Sequence, residues 1–316
     1  MQTRQLGKDG PRLTVIGLGT WAIGGPWSWG WGPQQDSDSI DAIAVSLDSG
    51  VNWIDTAPVY GLGHAEEVVA RALKHRSRET VFIATKCGLI WDDRKRVRRS
   101  LRPESIRKEV EASLRRLQTD YIDLYQHHWP DPDVPVEDSW GEMVRLREEG
   151  KVRYIGVCNY DVPLLERCMK IERVQSLQPP YSLVRRDIEK DILPFCKEHE
   201  IGVVAYSPLQ TGLLTGKMDI SRLAPDDWRR RDEYFKEPRF SKVQNLVEKL
   251  KPLAAKKGIS LAHLAIAWVL KHPAVTSAIV GARNAWQAAE NVKAAAVTLD
   301  QSDIAEIESL AQEFVP

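Results

Sequence analysis

The chain has 316 residues, 43% apolar and 28% charged, with 44 basic and 44 acidic side chains, a composition that suits a sizeable folded core and excludes disordered or fibrous classes. A formal charge of zero excludes a global basic field for nucleic acid or anionic membrane. No apolar run approaches the roughly 20 residues of a membrane span, and the segment from Met1 to Leu6 lacks the features of a secretory signal, so a cytoplasmic address is expected.

In chain order, Thr3-Leu6 and Arg12-Thr14 flank Lys8-Asp9-Gly10, and the Asp-Gly pair predicts a hairpin with a tight positive-φ turn that plugs the bottom of a barrel. Short β-branched or apolar runs then alternate with amphipathic segments, the pattern of parallel strands joined by crossover helices. Eight strands are expected near Val15-Leu18, Asn52-Asp55, Val81-Thr85, Leu124-His127, Tyr154-Val157, Val174-Leu177, Val203-Tyr206 and Ser277-Val280. Helices are expected near Ser39-Ser49, Ala65-Lys74, Pro103-Leu117, Glu137-Glu149, Val162-Ile171, Asp187-Glu198 and Leu261-His272, with two more near Ala285-Ala294 and Gln301-Gln312. Pro103 suits a first helical position, and Asp161 and Ser260 suit N-caps. The fold class is α/β: one domain over residues 1–316, a (β/α)8 TIM barrel with an N-terminal hairpin and extra C-terminal helices. The polar insertion Ser221-Arg239 reads as a lid. Trp21, Trp27, Trp29 and Trp31 crowd one glycine-rich stretch, either a packed structural loop or the wall of an apolar pocket.

Barrel enzymes carry their working residues at the carboxyl ends of strands, and these ends are polar here: Asp55, Lys86 and His128, with Tyr60 just beyond the second strand. Hydride reduction of a carbonyl leaves negative charge on oxygen, and a proton must be supplied as it develops. A phenol with an ordinary pKa of about 10 is a reluctant donor. The expectation is that the Lys86 ammonium lowers the pKa of Tyr60, that Asp55 keeps Lys86 charged, and that His128 orients the carbonyl.

The segments Asp55-Thr-Ala-Pro-Val-Tyr60-Gly, Ile83-Ala-Thr-Lys86 and Asp120-Tyr-Ile-Asp-Leu-Tyr-Gln-His-His128-Trp-Pro-Asp resemble the tetrad motifs of the aldo-keto reductase superfamily. Gly156-Val-Cys-Asn159-Tyr, Gln178-Pro-Pro-Tyr181-Ser and Ala205-Tyr206-Ser-Pro-Leu resemble further motifs in the same order. The Trp-rich first loop and Ala282-Arg283 bring the chain nearest to the bacterial general-stress and inositol-locus type reductases. The resemblance implies a small-molecule aldehyde or ketone as substrate, a monomer or weak oligomer, and NADPH as cofactor, with NADH the alternative. It implies Tyr60 as acid, tuned by Asp55 and Lys86, and His128 as polarising group. It further implies that Asn159 and Gln178 bind the carboxamide beside Cys158, where serine is commoner in the family, and that Tyr206 stacks on the nicotinamide. Gly19, Thr20 and Trp21, then Ser207, Pro208 and Leu209, with the covering loop at Gly212 and Lys217, belong to the same cofactor set. So do Gly281, Arg283, Gln287, Glu290 and Asn291, within which Arg283 and Gln287 stand where the family meets the 2′-phosphate; an arginine fork suits phosphate.

Other readings are weaker. Consecutive strand side chains point to opposite faces, so His127 and His128 cannot share one metal ion; no metal is expected, and His127 packs outward among helices. Gly17-Leu-Gly19-Thr-Trp-Ala22 matches a loose dinucleotide fingerprint, but the glycines and prolines that follow open no helix there. The basic run Arg94-Arg99 reads as a solvated loop, or as a rim that draws an anion. The four cysteines show neither Cys-x-x-Cys spacing nor disulfide-scaffold density, so reduced thiols are expected, and Cys87 reads as packed rather than redox-sensing. Two rival functions are a Schiff-base aldolase or lyase using Lys86, and a cofactor-binding regulatory protein.

Overall fold

The computed structural model describes residues 1–315. The chain opens with an antiparallel hairpin of β1 (Thr3–Gln5) and β2 (Arg12–Thr14). Then come β3 (Ile16–Gly19), β4 (Trp53–Asp55), β5 (Phe82–Cys87), a second hairpin of β6 (Leu89–Trp91) and β7 (Val97–Arg99), β8 (Ile122–His127), β9 (Val152–Cys158), β10 (Ser176–Gln178), β11 (Gly202–Tyr206) and β12 (Val275–Gly281). Eight of these, β3-β4-β5-β8-β9-β10-β11-β12, pair in parallel and close into a barrel through β12 and β3. Around it lie α1 (Asp36–Asp48), α2 (His64–Leu73), α3 (Pro103–Leu117), α4 (Val136–Glu148), α5 (Val162–Met169), α6 (Ile192–Glu198), α7 (Arg239–Lys256), α8 (Leu261–Lys271), α9 (Ala285–Lys293) and α10 (Gln301–Leu310). Among the described residues no single helix is long and apolar enough to cross a membrane.

Local chemistry sets these boundaries. Pro103 opens α3, where a missing N–H costs nothing. The side chains of Asp161 and Ser260 accept from the third residue after them and cap α5 and α8. Strand alternation then divides the core. Outward residues such as Ile54, Ile83 and Tyr125 pack against helices, whereas Trp53, Ala84, Leu124, Val204 and Ile279 fill the barrel. Leu6 and Leu13 of the first hairpin are fully buried against that interior set and plug its lower end. Burying two leucines is worth about 1.5–3 kcal/mol each.

Four expectations need correction. The hairpin turn places its positive φ at Gly7 (φ 63°), not at Asp9-Gly10; Gly10 is required instead because a Cβ there would sit 2.0 Å from the Leu6 carbonyl oxygen. The segment Asp187-Glu198 is not one helix: a 3-10 turn at Asp187–Glu189 ends, and the Asp191 side chain caps α6 anew. The Ser221-Arg239 insertion folds as 3-10 turns at Ile220–Arg222, Trp228–Arg231 and Glu233–Phe235. A short 3-10 helix, Trp21–Gly24, does open after Gly19, although an α-helix begins only at Asp36. The basic run forms the turn and second strand of the β6–β7 hairpin, with Arg96 paired to Asp92.

Candidate active site

The polar residues converge at the carboxyl ends of the strands. Lys86, fully buried on β5, points inward and donates to Asp55 Oδ1 (2.7 Å), to the Thr56 carbonyl (2.9 Å) and to the Tyr60 hydroxyl (3.3 Å). Its ammonium lies 5.0 Å from the centre of the Tyr60 ring. His128 stands edge-on to that ring, centroids 5.8 Å apart. Its backbone is held by the Cys87 carbonyl, which accepts from its N–H, and by Asn159 Nδ2, which donates to its carbonyl.

Tyr60 lies beyond β4 on a loop set by backbone contact. Gly61 has φ 65°, and a Cβ there would lie 2.0 Å from the Gly24 carbonyl oxygen, so only glycine lets the first loop press against the tyrosine. Thr20 bonds through both its N–H and its hydroxyl to the Asp55 carbonyl. Gly19 pairs with Asp55 on one side and Gly281 on the other.

The electrostatics correct one expectation. Burial pushes the Tyr60 phenol up to about 12; the Lys86 charge opposes this but does not overcome it. The phenol is therefore protonated at neutral pH, with a cation beside it that favours its anion. Burial, the largest single effect, would discharge Lys86, but Asp55, Tyr60 and Cys158 together outweigh it and the pKa ends above the ordinary value. Burial, reinforced by Lys86, lowers His128 well below the ordinary range, so its imidazole is neutral. His127 is buried on the outer side of the barrel wall, bonded to the Tyr160 hydroxyl and packed against Trp140, and burial pushes it down to about 3. Burial likewise raises the Cys87 and Cys158 thiols. Among the described residues no cluster of His, Cys, Asp or Glu could hold a metal.

The residues assigned to the cofactor form an arc over β9 to β12. Gln178 donates to Asp55 Oδ2 (2.8 Å), and Tyr206 donates to Asn159 Oδ1 (2.9 Å). After Tyr206 the backbone turns left-handed at Ser207, Gln210, Thr211 and Gly212, carrying Pro208 and Leu209, and the Thr211 hydroxyl is buried without a partner. Lys217 lies over the Trp286 ring. At the far end Arg283 donates to Gln34 Oε1 and to the Pro33 carbonyl, while its N–H donates to Gln287. Burial and Arg229 both lower its pKa. A cleft of about 230 Å³ adjoins it, lined by Pro33, Gln34, Gln35, Asp38 and Gln287. Asn291 donates to the Gly281 carbonyl, and Glu290 pairs with Lys293.

Sequence reading missed Gln126, whose Oε1 lies 3.4 Å from Gln178 Nε2 and whose own Nε2 is buried without a partner. Its inward position, two residues beyond Leu124 on β8, was the available signal. The tryptophans pack as a structural loop. Trp21, Trp31 and Trp228 pack together, joining the first loop to the insertion, while Trp27 reaches within 6.4 Å of the Tyr60 ring.

A sequence model of the aldo/keto reductase family matches residues 15–312. The aldo-keto reductase YhdN of Bacillus subtilis is 39% identical, with the alignment covering all of this chain and 95% of that protein. An NADH-specific methylglyoxal reductase of Escherichia coli is 36% identical over 99% of both. Among solved structures, the glycerol dehydrogenase AKR11B4 from Gluconobacter oxydans superposes with a TM-score of 0.89 at 41% identity, covering 99% of this chain and 96% of that one.

Proposed function

The chain belongs to the aldo/keto reductase family, an oxidoreductase for NAD(P)H-dependent carbonyl reduction, and from that premise we propose that Tyr60 is the acid that protonates the nascent alkoxide. The observation that carries this is the chain of contacts from Asp55 Oδ1 through Lys86 Nζ to the Tyr60 hydroxyl, 2.7 and 3.3 Å. When bound, the reduced nicotinamide supplies the hydride. Tyr60 holds its proton in the resting site because of burial and releases it as negative charge builds on the substrate oxygen. Lys86 then stabilises the phenolate, and Asp55 keeps the lysine charged and fixed. Neutral His128 donates a hydrogen bond to the carbonyl and adds no charge that would repel Lys86. The Lys86 ammonium, held charged by three acceptors, is a poor nucleophile, which disfavours the Schiff-base reading.

The chain's residues fit the cofactor by their donor set. Asn159 and Gln178 offer amides beside Tyr206, the loop left-handed at Ser207, Gln210, Thr211 and Gly212 carries the unpartnered Thr211 hydroxyl, and Arg283 ends the arc. We favour NADPH over NADH. Arg283 bonds only neutral acceptors and has Arg229 as a repelling neighbour, so a 2′-phosphate would relieve an uncompensated charge. Replacing Arg283 by Ala is expected to weaken NADP binding about 10–100-fold and NAD binding much less; equal losses, measured by fluorescence titration, refute the phosphate role. Tyr60→Phe is expected to cut aldehyde-dependent NADPH oxidation about 10²–10⁴-fold while the cofactor still binds. Near-normal turnover in that variant removes the assignment of the acid.

A further inference from the structure

Behind the barrel wall, on the side of β5 away from Lys86, lies a charged cluster that the mechanism does not use. Glu66, on the first turn of α2, is fully buried. Its Oε1 accepts from the Thr85 hydroxyl (2.7 Å) and its Oε2 from Arg116 Nε of α3 (2.7 Å). Thr85 is also fully buried and directly precedes Lys86. On the other flank, Ala65 donates its N–H to the Tyr60 carbonyl. Glu66 thus sits one residue from a hydrogen bond to the tyrosine and one side-chain bond from the neighbour of the lysine. Gly63, the N-cap of α2, has φ 107°, and the stem of Arg116 passes where its Cβ would be, 3.0 Å away. The same face of α3 supplies Glu109, which accepts from the N–H of Gly88, two residues past Lys86.

A buried carboxylate is costly, and an apolar residue of similar volume often serves stability as well or better. A role beyond stability accounts for its presence. We propose that Glu66 is a positioning residue that ties the loop bearing Tyr60 to the strand bearing Lys86 and so sets the 3.3 Å contact between phenol and ammonium. The link matters because the charge on Lys86 weakens steeply with distance where water is scarce. Letting β5 slide against α2 makes the phenolate harder to form. The groups facing Glu66 are Thr85 and Arg116, with Glu109 and Tyr125 close by; those facing Tyr60 are Lys86, Asp55, Cys158 and His128.

This inference rests on Tyr60 being the acid, and the test separates the two. Steady-state kinetics across pH, in both directions of the reaction, are measured for Glu66→Gln, Thr85→Val, Thr85→Ser and the Glu66→Gln/Thr85→Val double variant, with cofactor Kd and circular dichroism alongside. In Glu66→Gln and Thr85→Val, kcat is expected to fall about tenfold with cofactor Kd unchanged. The limb of alcohol oxidation that reports the phenolate should move to higher pH by at least about half a unit. Thr85→Ser, which keeps the hydroxyl, behaves as the parent, and the double variant is no worse than either single one. Unchanged kcat and pH limb overturn the proposal, as does a loss in Thr85→Ser equal to that in Thr85→Val. If Glu66→Gln does not fold, the two Thr85 variants decide alone. Retained turnover in Tyr60→Phe would instead sink the acid assignment, whatever the Glu66 variants do.

Discussion

The lower and upper ends of the barrel are built from the same strands. On β4 the inward residues are Trp53 and then Asp55; on β5, Ala84 and then Lys86; on β8, Leu124 and then Gln126. The first of each pair belongs to the plugged apolar interior with Leu6 and Leu13, and the second to the polar mouth. A single two-residue step of strand geometry, about 6.6 Å, separates packing from chemistry. The lower layer is held by non-directional burial. The upper depends on named donors and acceptors at fixed distances.

The sharpest attempt to break this separation is Lys86→Met. In the mouth one change should move both properties: kcat falls about 10²–10⁴-fold, and Asp55, left buried without its cation, destabilises the fold by about 3–5 kcal/mol. Chemical denaturation together with an aldehyde assay would check both, and undiminished stability would mean that the pair is not coupled to folding. At the other end, Leu13→Ala should cost about 2–5 kcal/mol through the cavity it leaves, with kcat unchanged. A comparable loss of turnover in that variant would show that the two layers are not independent. The smallest effect concerns Glu109, whose carboxyl burial pushes up to about 8. Because the folded pKa exceeds that of the unfolded chain, the unfolded chain gives up its proton first, and stability falls as pH rises from about 4.5 to about 8. Glu109→Gln should flatten that slope in urea melts; an unaltered slope would place the titration elsewhere.

Much of this layout was legible because strand-end polarity is a short-range signal. Asp55 ends β4, Lys86 stands one residue before the end of β5 and His128 directly follows β8, and α3 showed its start through Pro103. What stayed hidden depends on tertiary placement. The long helix α7, with Pro252 inside it, is one such element: packing of Val243, Leu246, Val247 and Leu250 holds it together. The balance at Tyr60 went the other way because desolvation depends on what surrounds the ring, which no spacing reveals. Glu66, next to Glu67 in an amphipathic segment, has the look of a solvated face. Only the passage of α3 across it shows that it is enclosed.

The hairpin that caps the lower end, packed on a filled interior, leaves the layer of Asp55, Lys86 and Tyr60 open to water from above only. A reactant seated on that rim therefore dries the phenol and the ammonium beneath it, and their attraction strengthens as water leaves.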